Sequence, residues 1–174
     1  AAEGNLELIL ELKKRGADIN KKDFFGQTPL HTLSYYGALD AVRGLLNNEN
    51  DFDKKGADIN IRDKEGETPL MVALTKGYHD LAFFLMERGA DASIATNLGV
   101  TPLMFCVEKG DLEVCKQLML LTKNQAILHA VNSSGENLLH LSIKNDYYDM
   151  TQWLIDKGVS VNVQNKEGKT PLHY

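Results

Sequence analysis

Histidine and cysteine are the residue types of this sequence most able to bind a metal or to act as a nucleophile. There are five histidines and two cysteines. Cys106 and Cys115 do not have the spacing of a zinc knuckle, and His79 and His129 have no partner at ligand spacing. The sequence contains no GxSxG, phosphate-loop, HExxH or calcium-loop pattern. We therefore predict no catalytic centre, no metal site and no cofactor.

The other three histidines belong to a recurring four-residue motif. Thr-Pro-Leu-His begins at 28 and 170, Thr-Pro-Leu-Met at 68 and 101, and Asn-Leu-Leu-His at 137, so that successive starts are 40, 33, 36 and 33 residues apart. A second motif, Gly-Ala-Asp-Ile-Asn and its variants, begins at 16, 56, 89 and 158 and keeps the same phase. Two motifs in one register indicate that the chain is built from structural repeats.

Each copy of the first motif predicts the start of a helix. Its threonine is a good N-cap, and its proline occupies the first helical position, where the missing N–H costs nothing. Asn137 replaces the threonine in one copy and is also a competent N-cap. Gly37, Gly77 and Gly110 are placed to end this helix in a left-handed conformation, and Asp146 replaces that glycine in the fifth copy.

A second helix follows, with apolar residues at i, i+1 and i+4 that predict its buried face. These residues are Leu8, Ile9 and Leu12; Ala41, Val42 and Leu45; Leu81, Ala82 and Leu85; Val114, Cys115 and Leu118; and Met150, Thr151 and Leu154. Beyond it, Asp18, Asp58 and Asp91 recur near the helix stop, which favours a turn or capping role for them. An Asp/Asn-x-x-Gly tight turn then follows at 23–26, 63–66, 132–135 and 165–168.

Together these motifs resemble the ankyrin repeat family, and the resemblance covers essentially the whole chain. It implies an all-α fold, an α-solenoid of stacked antiparallel helix pairs, with short β-hairpin fingers whose tips are the tight turns. It also implies that His31, His140 and His173 bond the capping residue and nearby backbone. Cys106 and Cys115 occupy positions where the repeat favours small buried residues, and we expect inert core thiols there.

The register divides residues 1–174, read as one ankyrin repeat domain, into repeats of similar length. They are a partial repeat at 1–20, repeats at 21–60, 61–93, 94–129 and 130–162, and a truncated repeat at 163–174. Because both ends fall within a repeat and lack polar caps, we expect flanking repeats or domains of a longer parent chain. Repeat 21–60 carries seven extra residues near 47–53, predicted to form a surface loop, and repeat 94–129 carries three around 123–126.

Composition excludes several classes of partner. With 24 acidic and 19 basic residues there is no positive excess to bind nucleic acid. No apolar run approaches the length of a membrane-spanning helix, so we expect no direct membrane insertion. The start of the chain lacks the pattern of a signal peptide, and two cysteines are too few for a disulfide scaffold. These features favour an intracellular, cytoplasmic protein.

The resemblance implies a concave groove lined by finger residues and by the residues before the closing glycine of each first helix. The predicted protein-binding residues are Phe24, Phe25, Gln27, Tyr35, Tyr36, Lys64, Glu65, Glu67, Lys76, Leu98 and Val100. Four of them are aromatic residues of one repeat, at positions where the pattern does not require apolar side chains. The preferred interpretation is a non-catalytic protein–protein interaction module that binds a partner protein or peptide in the groove.

Two alternatives stay open at this point. The aromatic side chains could pack against flanking repeats or against the insertion near 47–53. The whole segment could also belong to a larger enzyme or channel and serve its intramolecular regulation or assembly.

Ankyrin repeats are, in addition, substrates of an asparaginyl hydroxylase, and the resemblance implies Asn20 as an acceptor. Asn60 fits the same pattern except that Phe52 replaces a leucine.

Overall fold

The computed structural model describes residues 2–46, 56–122 and 124–174, which form two compact units. The N-terminal unit is Ala1–Ala90 and the C-terminal unit is Asp91–Tyr174. The predicted surface loop near 47–53 lies outside the described residues. Both units are built from pairs of short α-helices joined by a tight turn, as the repeat register predicts.

In the N-terminal unit, each helix pair packs on the next. The helices described there are α1 (Ala2–Lys14), α2 (Pro29–Tyr35), α3 (Leu39–Leu46), α4 (Pro69–Thr75) and α5 (His79–Glu87). Within the unit α2 contacts both α3 and α4, α4 contacts α5, and α1 contacts α3. Fully buried leucines occupy the core, including Leu30, Leu45, Leu70, Leu81 and Leu85.

The C-terminal unit repeats this arrangement. Its described helices are α6 (Pro102–Lys109), α7 (Leu112–Leu121), α8 (Leu138–Lys144) and α9 (Tyr148–Asp156), with short 3₁₀ helices at Gln125–His129 and Pro171–His173. Here α6 contacts α7 and α8, and α8 contacts α9. Its core contains Leu103, Met104, Leu118, Leu139 and Leu154.

The first helix of each pair begins at the predicted cap. The Thr68 and Thr101 hydroxyl oxygens accept the backbone N–H of Met71 at 3.4 Å and of Met104 at 3.2 Å. Asn137 also caps its helix, because its side-chain oxygen accepts the N–H of His140 at 3.2 Å. The motif thus satisfies helix-start donors that would otherwise lack a partner.

His31 and His140 connect each helix start to the following repeat. Thr28 N–H donates to His31 Nδ1 at 3.1 Å, so the ring proton lies on Nε2, which donates to the Glu67 carbonyl at 3.1 Å. His140 makes the equivalent bonds, from the N–H of its cap residue at 3.2 Å and to the Lys169 carbonyl at 3.0 Å. Burial lowers the pKa of His31, against the opposing effect of its bond to Glu67. The structural role implied for these histidines is therefore confirmed.

The first helix of a pair ends in the left-handed region. Gly37 and Gly110 have φ values of +65° and +72°. Asp146 takes the same role with φ +58°, and it is the one non-glycine residue with positive φ among the described residues. The prediction that Asp146 replaces the closing glycine is confirmed.

The predicted turns form short fingers. In the first, Asp23 Oδ1 accepts the N–H groups of Phe25 and Gln27, each at 2.8 Å. Within the N-terminal unit neighbouring fingers are joined by a bond from Lys64 N–H to the Phe25 carbonyl at 3.1 Å. The described residues contain no β-strand, so the fingers are hydrogen-bonded turns within an all-α fold.

Two regions depart from the regular pattern. Leu8 and Leu12 of α1, predicted to be buried, are exposed, because the packing of α1 against α3 leaves these two side chains open to solvent. In repeat 94–129, which carries three extra residues, α7 runs on to Leu121 and the chain then forms the 3₁₀ helix Gln125–His129. Ile127 and Leu128 of that 3₁₀ helix are buried, so this segment closes the repeat without a glycine stop.

Candidate functional site

The four aromatic residues that the sequence singled out are exposed in the N-terminal unit. Phe24 and Phe25 occupy the tip of the first finger, with exposed fractions of 81% and 60%. Tyr35 ends α2 and Tyr36 is its C-cap, with exposed fractions of 46% and 70%. Exposed apolar side chains that lie in contact with one another can form a patch of the kind that marks interaction sites.

The rings form two pairs. Phe24 and Phe25 meet edge to face, with centroids 5.7 Å apart and ring planes at 87°. Tyr35 and Tyr36 do the same at 5.1 Å and 77°. This geometry is the favourable one for aromatic pairs, so neighbouring rings restrict each other before any partner arrives.

A lysine of the following repeat lies on each pair. Lys64 Nζ is 4.3 Å from the centroid of Phe24, and Lys76 Nζ is 4.1 Å from the centroid of Tyr35. Both distances fall within cation–π range. We call the set Phe24, Phe25, Tyr35, Tyr36, Lys64 and Lys76 the lysine–aromatic surface. The sequence identified all six residues but not the ring contacts, which depend on side-chain torsions.

The other predicted residues of this unit support the fingers or lie beside them. Gln27 is half-buried, and its amide donates to Asp63 Oδ2 at 3.4 Å. Glu65 is exposed at the next finger tip. Glu67 is half-buried, and its pKa is raised by burial first and then by the charges of Asp63 and Glu65. Glu67 therefore contributes less negative charge than an exposed glutamate as the solution becomes mildly acidic.

Leu98 and Val100 belong to the C-terminal unit. Leu98 lies at a finger tip and is 66% exposed, whereas Val100 is half-buried. The Leu98 carbonyl accepts the N–H of Ser133 at 2.8 Å, and Val100 N–H donates to the hydroxyl of Thr96 at 3.3 Å. Val100 therefore helps to hold its finger together through this backbone bond, and of the two residues only Leu98 presents a largely accessible side chain.

The two asparagines predicted for hydroxylation bridge repeats. Asn20 Nδ2 donates to the Gly56 carbonyl at 3.2 Å, and Asn20 Oδ1 accepts the N–H of Asp58 at 2.8 Å. Asn60 Nδ2 donates to the Gly89 carbonyl at 3.3 Å. Hydroxylation of either stays a prediction, which an intact-mass gain of one oxygen after co-expression with an asparaginyl hydroxylase would test.

The residue types with catalytic potential have structural surroundings. Cys106 on α6 and Cys115 on α7 are buried free thiols, as predicted. The pKa of Cys115 is raised well above its ordinary value, first by a hydrogen bond with Cys106 and then by burial. Asp18 and Asp58 accept the N–H of Asn20 and Asn60, each at 3.0 Å, and so form the predicted turns.

Two findings concern metals and membranes. Within residues 2–46, 56–122 and 124–174, no three side chains of His, Cys, Asp or Glu come together in a way that would hold a metal ion. None of the helices in the described part of the chain combines the length and apolar character needed to cross a bilayer.

Sequence reasoning did not find one recurring contact between repeats. The ring of Tyr78 packs against Gly37, and the ring of Tyr147 packs against Gly110. The available signal was a tyrosine directly after the closing residue of the first helix, at Gly77-Tyr78 and Asp146-Tyr147. It gives no indication of which residue the ring contacts in the preceding repeat.

Comparison with protein families agrees with the fold. A family model described as ankyrin repeats, in three copies, matches residues 1–96, 52–127 and 103–174. Ankyrin repeats are generally protein–protein interaction modules and are typically non-catalytic. The matches together span the whole sequence, and this chain therefore belongs to the ankyrin repeat family.

Proposed function

We propose that the chain is a non-catalytic interaction module that binds a partner protein or peptide at the lysine–aromatic surface, in the concave groove typical of its family. The observation that carries this proposal is the exposure of four aromatic side chains within one repeat. An intracellular, cytoplasmic setting is part of the same proposal and is consistent with two reduced, buried cysteines.

Burial of these rings would be a favourable source of binding energy. When a partner covers an exposed aromatic ring, a large apolar area is removed from water, and only a few side-chain torsions become fixed. The edge-to-face pairs and the lysine contacts already restrict the rings in the unbound chain. A partner therefore meets a partly ordered surface, which lowers the entropic cost of association.

The experiment begins with selection of peptide binders from a displayed random 12-residue library, with the 174-residue chain as bait. The Kd of each selected peptide is then measured by calorimetry for the parent chain and for a variant with Phe24, Phe25, Tyr35 and Tyr36 changed to alanine. We expect the variant to bind at least about 30-fold more weakly, because central aromatic residues usually dominate an interface.

The matched control replaces exposed apolar residues elsewhere. Leu120 and Tyr148 of the C-terminal unit are 77% and 78% exposed, and Leu120→Ala with Tyr148→Ala removes comparable side chains. This control is expected to bind as the parent does. Equal affinity of the parent and the four-alanine variant, with circular dichroism showing both folded, would overturn the proposed surface.

A further inference from the structure

We propose that Ser133 is a phosphorylation site and that Lys166 binds the phosphate once it is attached. The two residues lie in consecutive fingers of the C-terminal unit, at 132–135 and 165–168. An ATP-dependent serine kinase would transfer the γ-phosphoryl group of ATP to Ser133 Oγ, with release of ADP and of the hydroxyl proton. Both fingers lie outside the lysine–aromatic surface, so this modification goes beyond the proposed function.

The hydroxyl group of Ser133 is accessible and takes no part in holding its finger together. Ser133 is exposed, and within the described part of the chain its hydroxyl makes no hydrogen bond. The turn is held by Asn132 Oδ1, which accepts the N–H groups of Ser134 and Glu136 at 3.0 and 2.9 Å. The backbone N–H of Ser133 donates to the Leu98 carbonyl at 2.8 Å. Esterification of the hydroxyl therefore leaves all of these bonds in place.

A pair of fingers in the N-terminal unit shows how far a lysine at the position of Lys166 reaches. Lys64 N–H donates to the Phe25 carbonyl of the preceding finger at 3.1 Å, and a Cβ atom on Gly26 would lie 3.0 Å from the Lys64 nitrogen. From this backbone position Lys64 Nζ comes within 4.3 Å of the centroid of the Phe24 ring. The second residue of one finger thus contacts the side chain of the second residue of the preceding finger.

The two fingers of the proposed site pack in the same way. Lys166 N–H donates to the Ser134 carbonyl at 2.9 Å, and a Cβ atom on Gly135 would lie 3.1 Å from the Lys166 nitrogen. Ser133 holds the place that Phe24 holds in the other pair. The phosphorus atom of a phosphoserine lies about as far from its Cα atom as a phenylalanine centroid does. Lys166 Nζ can therefore form an ion pair with a phosphate on Ser133.

The ammonium group of Lys166 is available for this pair. Lys166 is exposed, and among the described residues its side chain has no hydrogen bond, ion pair or ring contact. The glutamates of the two fingers already have cationic partners. Glu136 Oε1 is 3.3 Å from Lys144 Nζ, and Glu167 Oε2 is 2.9 Å from Lys169 Nζ. A phosphate would therefore meet Lys166 without displacing an existing ion pair.

Both fingers also lack the carboxylate that holds the two fingers of the N-terminal unit. There, Asp23 Oδ1 and Asp63 Oδ1 accept the finger N–H groups. Asn132 and Asn165 make the equivalent bonds with neutral amide oxygens. A carboxylate beside Ser133 would repel a phosphate, which carries about 1.5–2 negative charges at neutral pH. Asparagine at both turns removes that repulsion.

The first part of the test asks whether the folded chain is modified at this position. The 174-residue chain is incubated with ATP and a eukaryotic cell lysate as the source of kinases, and phosphorylated peptides are mapped by mass spectrometry. We expect phosphate on Ser133 and its loss in Ser133→Ala. Ser134 and Ser160 are also exposed and serve as internal controls. Phosphate on either of them without phosphate on Ser133, or no phosphate on any serine, would overturn the proposal.

The second part asks whether Lys166 binds the phosphate. Phosphoserine is incorporated at position 133 during translation, and the second pKa of its phosphate, ordinarily about 6, is measured by phosphorus NMR. A neighbouring ammonium group favours the dianion and lowers this pKa. We expect Lys166→Gln to raise it by about 0.2–0.7, the range for one exposed ion pair. Lys166→Arg keeps the charge and should leave the pKa within about 0.2 of the parent value.

A lysine outside the fingers controls for net charge. Lys116 on α7 pairs with Glu113 at 2.7 Å, so Lys116→Gln makes the same change in net charge and should leave the phosphate pKa within about 0.1 of the parent value. Equal phosphate pKa values in the parent and in Lys166→Gln would overturn the binding role of Lys166. A shift as large in Lys116→Gln as in Lys166→Gln would overturn it too, because net charge alone would then account for the effect.

Discussion

The ring of Tyr78 lies directly against Gly37, the residue that closes the first helix of the preceding repeat. A Cβ atom on residue 37 would come within 2.6 Å of Tyr78 Cε1, closer than the two atoms can approach. The φ of Gly37 is also positive, at +65°. Residue 37 is therefore restricted to glycine both by its backbone conformation and by a side chain of another repeat.

We predict that Gly37→Ala destabilises the chain more than Gly77→Ala does. Gly77 has φ +77° and nothing within 4 Å of its Cβ position, so alanine there meets backbone strain of about 1 kcal/mol. At residue 37 the same strain is joined by displacement of the Tyr78 ring, which adds about 1–3 kcal/mol. Urea unfolding followed by circular dichroism gives both values.

A double-mutant cycle tests the cause. In a Tyr78→Ala background the ring is absent, so Gly37→Ala should cost no more than Gly77→Ala does in the parent. Equal destabilisation by Gly37→Ala with and without the Tyr78 ring would show that the contact contributes nothing.

We also predict a pH dependence that originates at His31. Burial lowers the pKa of this imidazole, so the unfolded chain protonates it at a higher pH than the folded chain does. As the pH falls below about 6.5, the free energy of unfolding decreases by up to about 1.4 kcal/mol per pH unit until the folded-state pKa is reached. Above that window His31 contributes no pH dependence to the free energy of unfolding.

The measurement is the difference between the parent and His31→Gln in urea unfolding at pH 7.5, 6.5, 5.5 and 5.0. The parent should lose more stability than the variant on acidification, because the variant lacks the titrating ring. The variant should be less stable at pH 7.5, where the bonds to Thr28 and Glu67 are intact in the parent. Parallel pH profiles for the two proteins would contradict the assignment.

Much of the fold was predictable because its signals are local. The Thr-Pro pair places a cap and a first helical residue side by side, and Asp146 could be assigned to a left-handed position by its register alone. The finger turns depend on one side chain bonding backbone two and four residues ahead, which is also local. These features require no knowledge of the neighbouring repeat.

The candidate site was predictable only in part. Phe24 and Tyr35 stood out because the repeat does not require apolar residues there, yet their contacts with lysines depend on rotamers chosen between repeats. The Tyr78–Gly37 contact has the same origin. Leu12 was predicted to be buried and is exposed, since helical periodicity indicates an apolar face but not whether anything covers it.

The paired thiols give a third prediction. Cys106 and Cys115 are both buried, and their hydrogen bond together with burial raises the pKa of Cys115. The thiolate is the reactive form, and the reagent reaches a buried thiol only when the surrounding structure opens locally. Both thiols should therefore react with Ellman's reagent at least about 100-fold more slowly in the folded chain than in 6 M urea, where the unfolded chain exposes them. Full reaction of either thiol within the mixing time under native conditions would contradict this.

The fourth prediction compares two buried serines. Ser34 of α2 is fully buried, and its hydroxyl has no hydrogen-bond partner among the described residues. Ser142 of α8 is equally buried, but its hydroxyl donates to the Leu139 carbonyl at 3.2 Å and accepts from the Thr151 hydroxyl at 2.9 Å.

Because an unsatisfied buried hydroxyl carries a desolvation cost, we expect Ser34→Ala to leave the free energy of unfolding unchanged or raise it by up to about 1 kcal/mol. Ser142→Ala should lower it by about 1–2 kcal/mol, since it also leaves the Thr151 hydroxyl with one bond fewer. Urea unfolding of both variants gives the comparison, and a larger loss at Ser34 than at Ser142 would show that the Ser34 hydroxyl has a partner in solution.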